Sequence, residues 1–267
     1  MIKLDKEKET LLIPLYGKAV ETQKKRAILH DVKALEIINN IDYDFSKLRI
    51  PQKTNTMMSL RARLIDDSCI SYLYNSEDTL AIHLGCGLDS RYNRINNSTV
   101  HWIDLDYPEV IDIRRQFYPE SENYRLMGSS VTDYEWIEKV PQQYKNNIII
   151  AEGLLMYLSE SEIKTLFEKL KQRLGSFVII FDAFNKFTSK KVNNHPSIKK
   201  TGAEIKWGLD HSGELEKWNQ DYKLIKEIYF TSNSILKRMG GLKFIIYRML
   251  HFIPLARNAQ KIFIFQM

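Results

Sequence analysis

Residues 79–110 read TLAIHLGCGLDSRYNRINNSTVHWIDLDYPEV, and this stretch decides the fold. A short apolar run, Leu80 to Leu84, has the length of a buried strand and ends abruptly in Gly85-Cys86-Gly87. A second apolar run starts at Val100 and ends in the acidic residues Asp104 and Asp106. A doubly wound sheet holds a nucleoside with a strand that enters a glycine turn and a second strand tipped by carboxylate. The stretch therefore predicts a nucleoside-cofactor site.

The bulk composition is that of a globular protein. The chain has 267 residues, 44% hydrophobic and 27% charged, with a net charge of +6. No apolar run approaches the length of a membrane span, and the basic clusters at 24–26 and 190–191 lack accompanying aromatic residues. We therefore expect no nucleic-acid partner and no membrane partner. Oligomeric state cannot be read from the sequence.

The first residues and the cysteines bear on location. Residues 1–10 mix acidic and basic side chains with no apolar stretch behind them, which does not resemble a secretory signal. Cys69 and Cys86 form neither a disulfide framework nor a metal-binding spacing, and His195 and His211 have no metal-like partners at useful spacing. We expect a cytoplasmic protein without a metal site.

The rest of the chain alternates strand and helix patterns. Apolar residues at helical spacing dominate residues 1–75, which predict a helical cap before the first strand. Strand and helix patterns alternate across residues 76–182, the core half of the predicted cofactor-binding domain. Alternation at this spacing predicts α/β architecture with a doubly wound, mostly parallel sheet. Residues 183–220 lose periodicity and predict a lid, and residues 221–267 return to the sheet, so we expect a single domain over 1–267.

Two cofactors compete for the glycine turn. The glycine motif of dinucleotide-binding proteins has a third glycine where this chain has Ser90. Tyr222 and Lys226 have the spacing of the Tyr-Lys pair of short-chain dehydrogenases, but they fall on a strand pattern. S-adenosylmethionine has no pyrophosphate, so a third glycine is dispensable. Its ribose suits Asp106 and its ammonium suits Glu152, which follows the clearest strand of the chain. Its carboxylate suits an arginine, for which Arg61 and Arg63 are the candidates.

Several motifs in the same order resemble the leucine carboxyl methyltransferase family, and more closely its bacterial polyketide O-methyltransferase branch of tetracenomycin type. The turn Gly85 to Arg91 and the strand end Asp106 to Val110 are similar to the family's glycine turn and its Asp-x-Pro-x-Val segment. Further similarity lies in Arg63 to Asp67, in Ala151 to Leu158, and in two short segments, Tyr16 to Ala19 and Trp207 to Asp210. The resemblance spans most of the chain.

This resemblance implies a class I methyltransferase with a seven-stranded Rossmann-like sheet whose last strand is antiparallel. Carried over by position, Arg63 would bind the donor's carboxylate, Gly85 and Gly87 would line its methionine part, Asp106 would take the ribose, and Glu152 would meet the amine. Ser130 and Val131 stand where the family often has an Asp-Leu pair beside adenine, which predicts a weaker hydrogen bond to the donor. Tyr157 is a candidate to line the methyl-transfer site.

The predicted reaction is methyl transfer from S-adenosylmethionine to an oxygen of a small-molecule acceptor or a peptide carboxylate, with S-adenosylhomocysteine as product. A carboxylate acceptor is already an anion and needs no general base. Two alternatives stay open: an NAD-dependent oxidoreductase on the same sheet, and a protein that binds the donor or its product without turnover. Several residues also have structural interpretations, since Arg63 could form a surface ion pair with Asp66 or Asp67 and Asp104 could be a structural neighbour of Asp106.

Overall fold

A computed structural model describes residues 9–48, 50–73, 78–193, 203–231 and 234–267. The chain forms two compact units. The sheet unit comprises Ser68–Gly87, Asn97–Tyr229 and Asn258–Met267, and the helical unit comprises Met1–Asp67, Leu88–Asn96 and Phe230–Arg257. The division of the chain at residues 75, 182 and 220 stays a prediction.

The sheet unit is built on a seven-stranded sheet, which confirms the predicted fold class. The strands are β1 (Thr79–Leu84), β2 (Val100–Asp106), β3 (Tyr124–Gly128), β4 (Asn146–Ala151), β5 (Val178–Phe184), β6 (Lys223–Tyr229) and β7 (Gln260–Gln266). The strand order is β3-β2-β1-β4-β5-β7-β6. β7 runs antiparallel to both of its neighbours, and the remaining pairs are parallel.

The register of the parallel strands places their carboxyl ends together. Leu84, the last residue of β1, pairs with Leu105 of β2 and with Ala151 of β4. Asp106 pairs with Gly128 at the end of β3. The residues that follow β1, β2 and β4 therefore leave the sheet at one edge, where open α/β sheets bind their ligands.

One helix of the sheet unit begins and ends at clear local signals in the sequence. α7 (Glu160–Leu174) begins with a capping box in which Ser159 Oγ accepts from the Glu162 amide and the Glu162 carboxylate accepts from the Ser159 amide. The helix stops at Gly175, whose φ is +74°. The other helices of this unit are α5 (Pro108–Arg115), α6 (Glu135–Glu138), α8 (Lys186–Asn193), α9 (Gly213–Glu216) and a 3-10 turn at Leu155–Tyr157.

Part of the segment predicted as a lid, around Trp207 and Leu209, is packed in the core of the sheet unit. The side chains of Trp207 and Leu209 are buried, and the Leu209 amide donates a hydrogen bond of 2.8 Å to the carbonyl of Phe184 at the end of β5. The Trp207 ring lies 6.3 Å from that of Phe181. The loss of periodicity in the sequence correctly indicated irregular backbone, and in the structure this irregular backbone is held in place by core contacts. Residues 194–202, with His195, Lys199 and Lys200, lie outside the described residues.

The helical unit contains α1 (Glu9–Thr22), α2 (Val32–Asn40) and most of α3 (Gln52–Leu73). Asp31 caps α2, because its side chain accepts from the Ala34 amide. In the sequence the apolar helical pattern of α3 starts only at Met57, but the helix begins at Gln52. Its first turn is polar and carries no apolar periodicity, so the pattern missed it. The unit also contains α4 (Arg91–Ile95), α10 (Gly241–Leu250), α11 (Pro254–Arg257) and 3-10 turns at Phe45–Leu48 and Ser234–Met239.

Within the described part of the chain, no helix is long and apolar enough to cross a membrane. Over the same residues, the structure shows no cluster of three histidine, cysteine, aspartate or glutamate side chains that could hold a metal ion.

Candidate active site

The turn after β1 has a backbone conformation that favours glycine at two positions. Gly85 has φ +62° and Gly87 has φ +51°, in the left-handed region where a side chain is strained. A Cβ atom added to Gly85 would lie 3.0 Å from Cδ1 of Leu154. Gly85 therefore has two reasons to be glycine, its φ and its close neighbour.

Asp106 is tied to this turn. The Gly87 amide donates a hydrogen bond of 2.7 Å to Asp106 Oδ2, and the Tyr107 amide donates one of 2.8 Å to Oδ1. Burial raises the pKa of the Asp106 carboxyl above its ordinary value, against the lowering effect of the two amides. Each carboxylate oxygen keeps a lone pair for another donor, such as a ribose hydroxyl.

Asp104 has a different environment, although it lies on the same strand. It is fully buried and forms an ion pair with Arg114. Tyr124 donates a hydrogen bond of 2.5 Å to its Oδ2, and Trp102 donates one of 2.8 Å to its Oδ1. Burial acts to raise the pKa of Asp104, but Arg114, His83 and Tyr124 outweigh it and hold the pKa well below the ordinary range. Asp104 is thus the structural neighbour that the sequence left as an alternative.

Arg114 is the residue of this region that sequence reasoning missed. Its side chain is fully buried, and Nη1 donates a hydrogen bond of 2.9 Å to the carbonyl of Gly87. Its guanidinium lies 4.1 Å from the ring centroid of Tyr118. A signal was present in the sequence, because Arg114 follows Val110 by four residues and precedes Phe117 by three, on the apolar face of its helix. A cation on such a face requires a buried anion.

Glu152 follows the last residue of β4 and is half-buried. The next residue, Gly153, has φ +63°, and its amide donates a hydrogen bond of 2.6 Å to Asp182 Oδ1. Asp182 is buried within β5, and its Oδ2 accepts from Gln260 at 2.7 Å. In the sequence Asp182 only follows an apolar run, and no role could be assigned to it. The structure shows that it fixes the backbone after Glu152.

The remaining predicted residues of the sheet unit lie after β3 and β4. The Ser130 hydroxyl lies 2.9 Å from the Thr132 hydroxyl, and Val131 is buried. The Val131 carbonyl accepts from the Trp136 indole at 3.3 Å. Tyr157, half-buried, ends the 3-10 turn that follows Glu152.

Arg63 belongs to the helical unit, on α3. Its Nε lies 2.7 Å from Asp67 Oδ1, so the surface pair considered from the sequence is present, with Asp67 as its partner. Asp66 is engaged elsewhere: it lies 2.7 Å from both Arg91 and Arg94 in a buried network. In the same unit Lys18 forms an ion pair with Asp89, inside two of the segments that carried the family resemblance.

The sheet unit therefore brings six predicted donor-binding residues to the carboxyl ends of β1 to β4. They are Gly85, Gly87, Asp106, Ser130, Val131 and Glu152. The glycine turn and a carboxylate with spare lone pairs suit the polar parts of S-adenosylmethionine. The position of Arg63 relative to the donor stays a prediction.

Solved methyltransferases share this fold. The plantazolicin methyltransferase BpumL in complex with S-adenosylhomocysteine has a TM-score of 0.51 at 11% identity, over 97% of this chain and 98% of that one. The magnesium protoporphyrin IX methyltransferase of Synechocystis, also with S-adenosylhomocysteine, has a TM-score of 0.50 at 11% identity, over 81% and 88%. At these identities the likeness shows the class of fold, that of class I methyltransferases.

Sequence similarity shows the family. The sequence model of leucine carboxyl methyltransferases matches residues 12–171. The tetracenomycin polyketide synthesis O-methyltransferase TcmP of Streptomyces glaucescens is 36% identical over 216 residues, 80% of each protein. The S-adenosyl-L-methionine-dependent methyltransferase dpfgK of Gibberella zeae is 29% identical over 238 residues, 80% of this chain and 79% of dpfgK. The chain belongs to the leucine carboxyl methyltransferase family. This confirms the predicted enzyme class, a methyltransferase with S-adenosylmethionine as donor, over the oxidoreductase alternative.

Proposed function

We propose that this chain transfers a methyl group to an oxygen atom of a small-molecule acceptor or a peptide carboxylate. The observation that carries the proposal is the hydrogen bond from the Gly87 amide to Asp106. It joins the glycine turn to a carboxylate at the edge of the sheet where open α/β sheets bind their ligands. The similarity to an O-methyltransferase supports oxygen as the acceptor atom.

The donor-binding residues follow from this edge. Gly85 and Gly87 line the methionine part, and Asp106 accepts the ribose hydroxyls. Ser130 and Val131 lie beside adenine. Glu152 binds the ammonium group, and its position is supported by the Gly153 to Asp182 hydrogen bond behind it. Arg63 binds the donor's carboxylate and exchanges its exposed partner Asp67 to do so.

When bound, S-adenosylmethionine supplies a methyl group made electrophilic by the attached sulfonium. The chain's own residues orient the donor and exclude water, which is the protein's share of such catalysis. A carboxylate acceptor is deprotonated at neutral pH and needs only positioning. Tyr157 lines the methyl-transfer site, because it follows Glu152 closely and ends the turn after β4. We place the reaction in the cytoplasm, from the low cysteine content.

Calorimetry with S-adenosylhomocysteine and with NAD tests donor binding. We expect binding of the former alone. Glu152→Gln is expected to weaken binding about tenfold, since a hydrogen bond to a charged group contributes about 1.5–3 kcal/mol. Glu160→Gln is the matched control, because Glu160 is exposed and pairs with Lys164 on a helix surface. Equal affinities of the two variants would contradict the role of Glu152.

The acceptor is tested by uptake of labelled methyl from S-adenosylmethionine into a panel of carboxylic acids, phenols and peptides. Uptake into an acid that is lost on esterification of that acid would identify carboxylate as the acceptor group. Donor binding without uptake into any member, across pH, would favour the alternative of a binding protein without turnover.

A further inference from the structure

The last forty residues of the chain have an unusual charge. Residues 228–267 contain no aspartate or glutamate. They contain six basic residues, Lys237, Arg238, Lys243, Arg248, Arg257 and Lys261, so the segment carries a charge equal to the net +6 of the whole chain. Five of the six lie within residues 230–257, the last part of the helical unit.

The same segment exposes a stripe of large apolar side chains. Met249 on α10 is 64% exposed, and Phe252, just beyond the helix, is 79% exposed. Ile245, Ile246 and Ile253 are also exposed. At about 100° per residue Ile245, Ile246 and Met249 fall within an arc of about 100° on α10, and Phe252 and Ile253 follow the end of the helix. Tyr247, on the opposite side of α10, is buried. The helix therefore faces solvent with its apolar side.

A stripe of this kind on a soluble domain marks an interaction surface, whereas single exposed apolar residues are ordinary. The charge selects the partner. A second copy of the chain would bring two strongly basic segments together without a compensating acid. Nucleic acid would match the charge and leave the apolar stripe in water. A bilayer with anionic lipid matches both, because apolar side chains enter the boundary of headgroups and acyl chains while lysine and arginine attract lipid phosphates.

A basic cavity of about 300 Å³ in the helical unit adjoins this helix in the chain. Gly240, at the N-terminal cap of α10, is part of its lining. Basic side chains line it at Lys24, Lys25, Arg26 and Arg238, with Glu21 as the acid among its lining residues. Glu21 forms an ion pair with Lys24, so the remaining charge of the cavity is positive. A cavity of this size and sign suits a lipid phosphate.

We propose that α10 and residues 251–255 dock on the surface of a bilayer that contains anionic lipid. The apolar stripe enters the headgroup boundary, and Lys237, Arg238 and Arg248, all exposed, lie at the phosphates. This replaces our expectation from the sequence of no membrane partner. It requires no spanning helix, and it stands whether or not the methyl-transfer proposal holds.

Sedimentation with vesicles tests the proposal on the full chain without donor. We compare vesicles of phosphatidylcholine alone with vesicles of phosphatidylcholine and phosphatidylglycerol in a two-to-one ratio. The wild type is expected to sediment with the anionic vesicles and to be released by salt. Met249→Ser combined with Phe252→Ser is expected to lower the partition coefficient about tenfold or more, because two exposed apolar side chains no longer enter the bilayer.

The matched control combines Val32→Ser with Phe187→Ser, two apolar side chains that are exposed elsewhere, at 73% and 57%. This control is expected to sediment like the wild type. Absence of sedimentation with anionic vesicles, or equal partition of the wild type and the Met249/Phe252 variant, would overturn the proposal. So would a dimer in analytical ultracentrifugation that the Met249/Phe252 variant abolishes, since the stripe would then be covered by a second copy. Circular dichroism verifies that each variant is folded.

Discussion

The Gly87 amide donates a 2.7 Å hydrogen bond to Asp106 Oδ2, and the Gly87 carbonyl accepts a 2.9 Å hydrogen bond from Arg114. Gly87, which lies just after β1, is thus hydrogen-bonded through its amide to a side chain of β2 and through its carbonyl to a side chain of α5. One of these is the residue proposed to hold the ribose. The other is anchored in turn by Asp104. The carboxylate proposed to bind the donor and the buried ion pair are thus connected through the backbone of Gly87.

Removing one partner of the Asp104–Arg114 pair should destabilise the fold. Asp104→Asn or Arg114→Gln leaves an uncompensated buried charge, which costs about 3–5 kcal/mol. The double variant is expected to lose less than the sum of the two. Urea denaturation measures all three. Asp112→Asn is the control, because Asp112 forms an exposed pair with Arg115 and should change stability by less than about 1 kcal/mol. Additive losses in the double variant would contradict direct coupling.

The stability from this pair should depend on pH in one direction. The pKa of Asp104 is lower in the folded chain than in the unfolded chain. Its contribution is therefore fully present above the ordinary aspartate pKa of 3.8 and is lost as the pH falls through the lower, folded value. Denaturation of the wild type and of Asp104→Asn across acidic pH measures the difference, which should shrink on acidification. A difference that is constant down to the lowest pH would contradict the assignment.

Gly85→Ala should be worse than an alanine at another left-handed glycine. Gly175 has φ +74° and no neighbour within 4 Å of a built Cβ, so Gly175→Ala reports the cost of a positive φ without a close contact, about 1–3 kcal/mol. Gly85→Ala also has a positive φ and places a methyl 3.0 Å from Leu154, in the turn proposed to line the donor. We expect a similar or larger stability loss and, in addition, weaker binding of S-adenosylhomocysteine. Equal donor affinity of the two variants would place the donor away from Gly85.

Donor affinity should fall on acidification through Asp106. Burial raises its pKa above the ordinary 3.8. Because we propose that the ionised carboxylate accepts from the ribose hydroxyls, affinity should be retained above the raised pKa and lost as the pH falls through it, beginning at a higher pH than for an exposed aspartate. Calorimetric titration with S-adenosylhomocysteine at several pH values measures this. Asp106→Asn should bind about tenfold more weakly at neutral pH and lose the acid dependence. An unchanged pH profile in that variant would assign the titration to another group.

Arg63 and Asp67 separate donor binding from the surface ion pair. Arg63→Ala should weaken binding of S-adenosylhomocysteine about tenfold through the lost charge-assisted hydrogen bonds. Asp67→Asn removes the partner of Arg63 and should not weaken binding, because it frees the guanidinium from its exposed carboxylate. Both should change stability by less than about 1 kcal/mol. Weakening by Asp67→Asn and none by Arg63→Ala would show that the pair is only structural.

The sequence by itself determined the elements, the fold class and the family. Strands that are buried on both faces are continuous apolar runs, so β1 and β4 stood out, and glycine turns and capping boxes are local signals that need no distant partner. Gly85-Cys86-Gly87 and Asp106 to Val110 lie in one stretch, and together they predicted the class of donor. The start of α3 at Gln52 could not be predicted from apolar periodicity, because the first turn of the helix is polar.

Only the tertiary structure decided the pairing of the charged side chains. Periodicity put Asp104 and Asp106 on one face of β2, but it did not show that Arg114 would neutralise the first and the Gly87 amide would bind the second. It did not show whether Arg63 pairs with Asp66 or with Asp67. In the structure Arg91 and Arg94 bind Asp66 in a buried network, and Arg63 pairs with Asp67. It also did not show that the apolar face of α10 points to solvent. Such partners come from distant parts of the chain, and a local pattern records that a face is apolar or charged without recording what covers it.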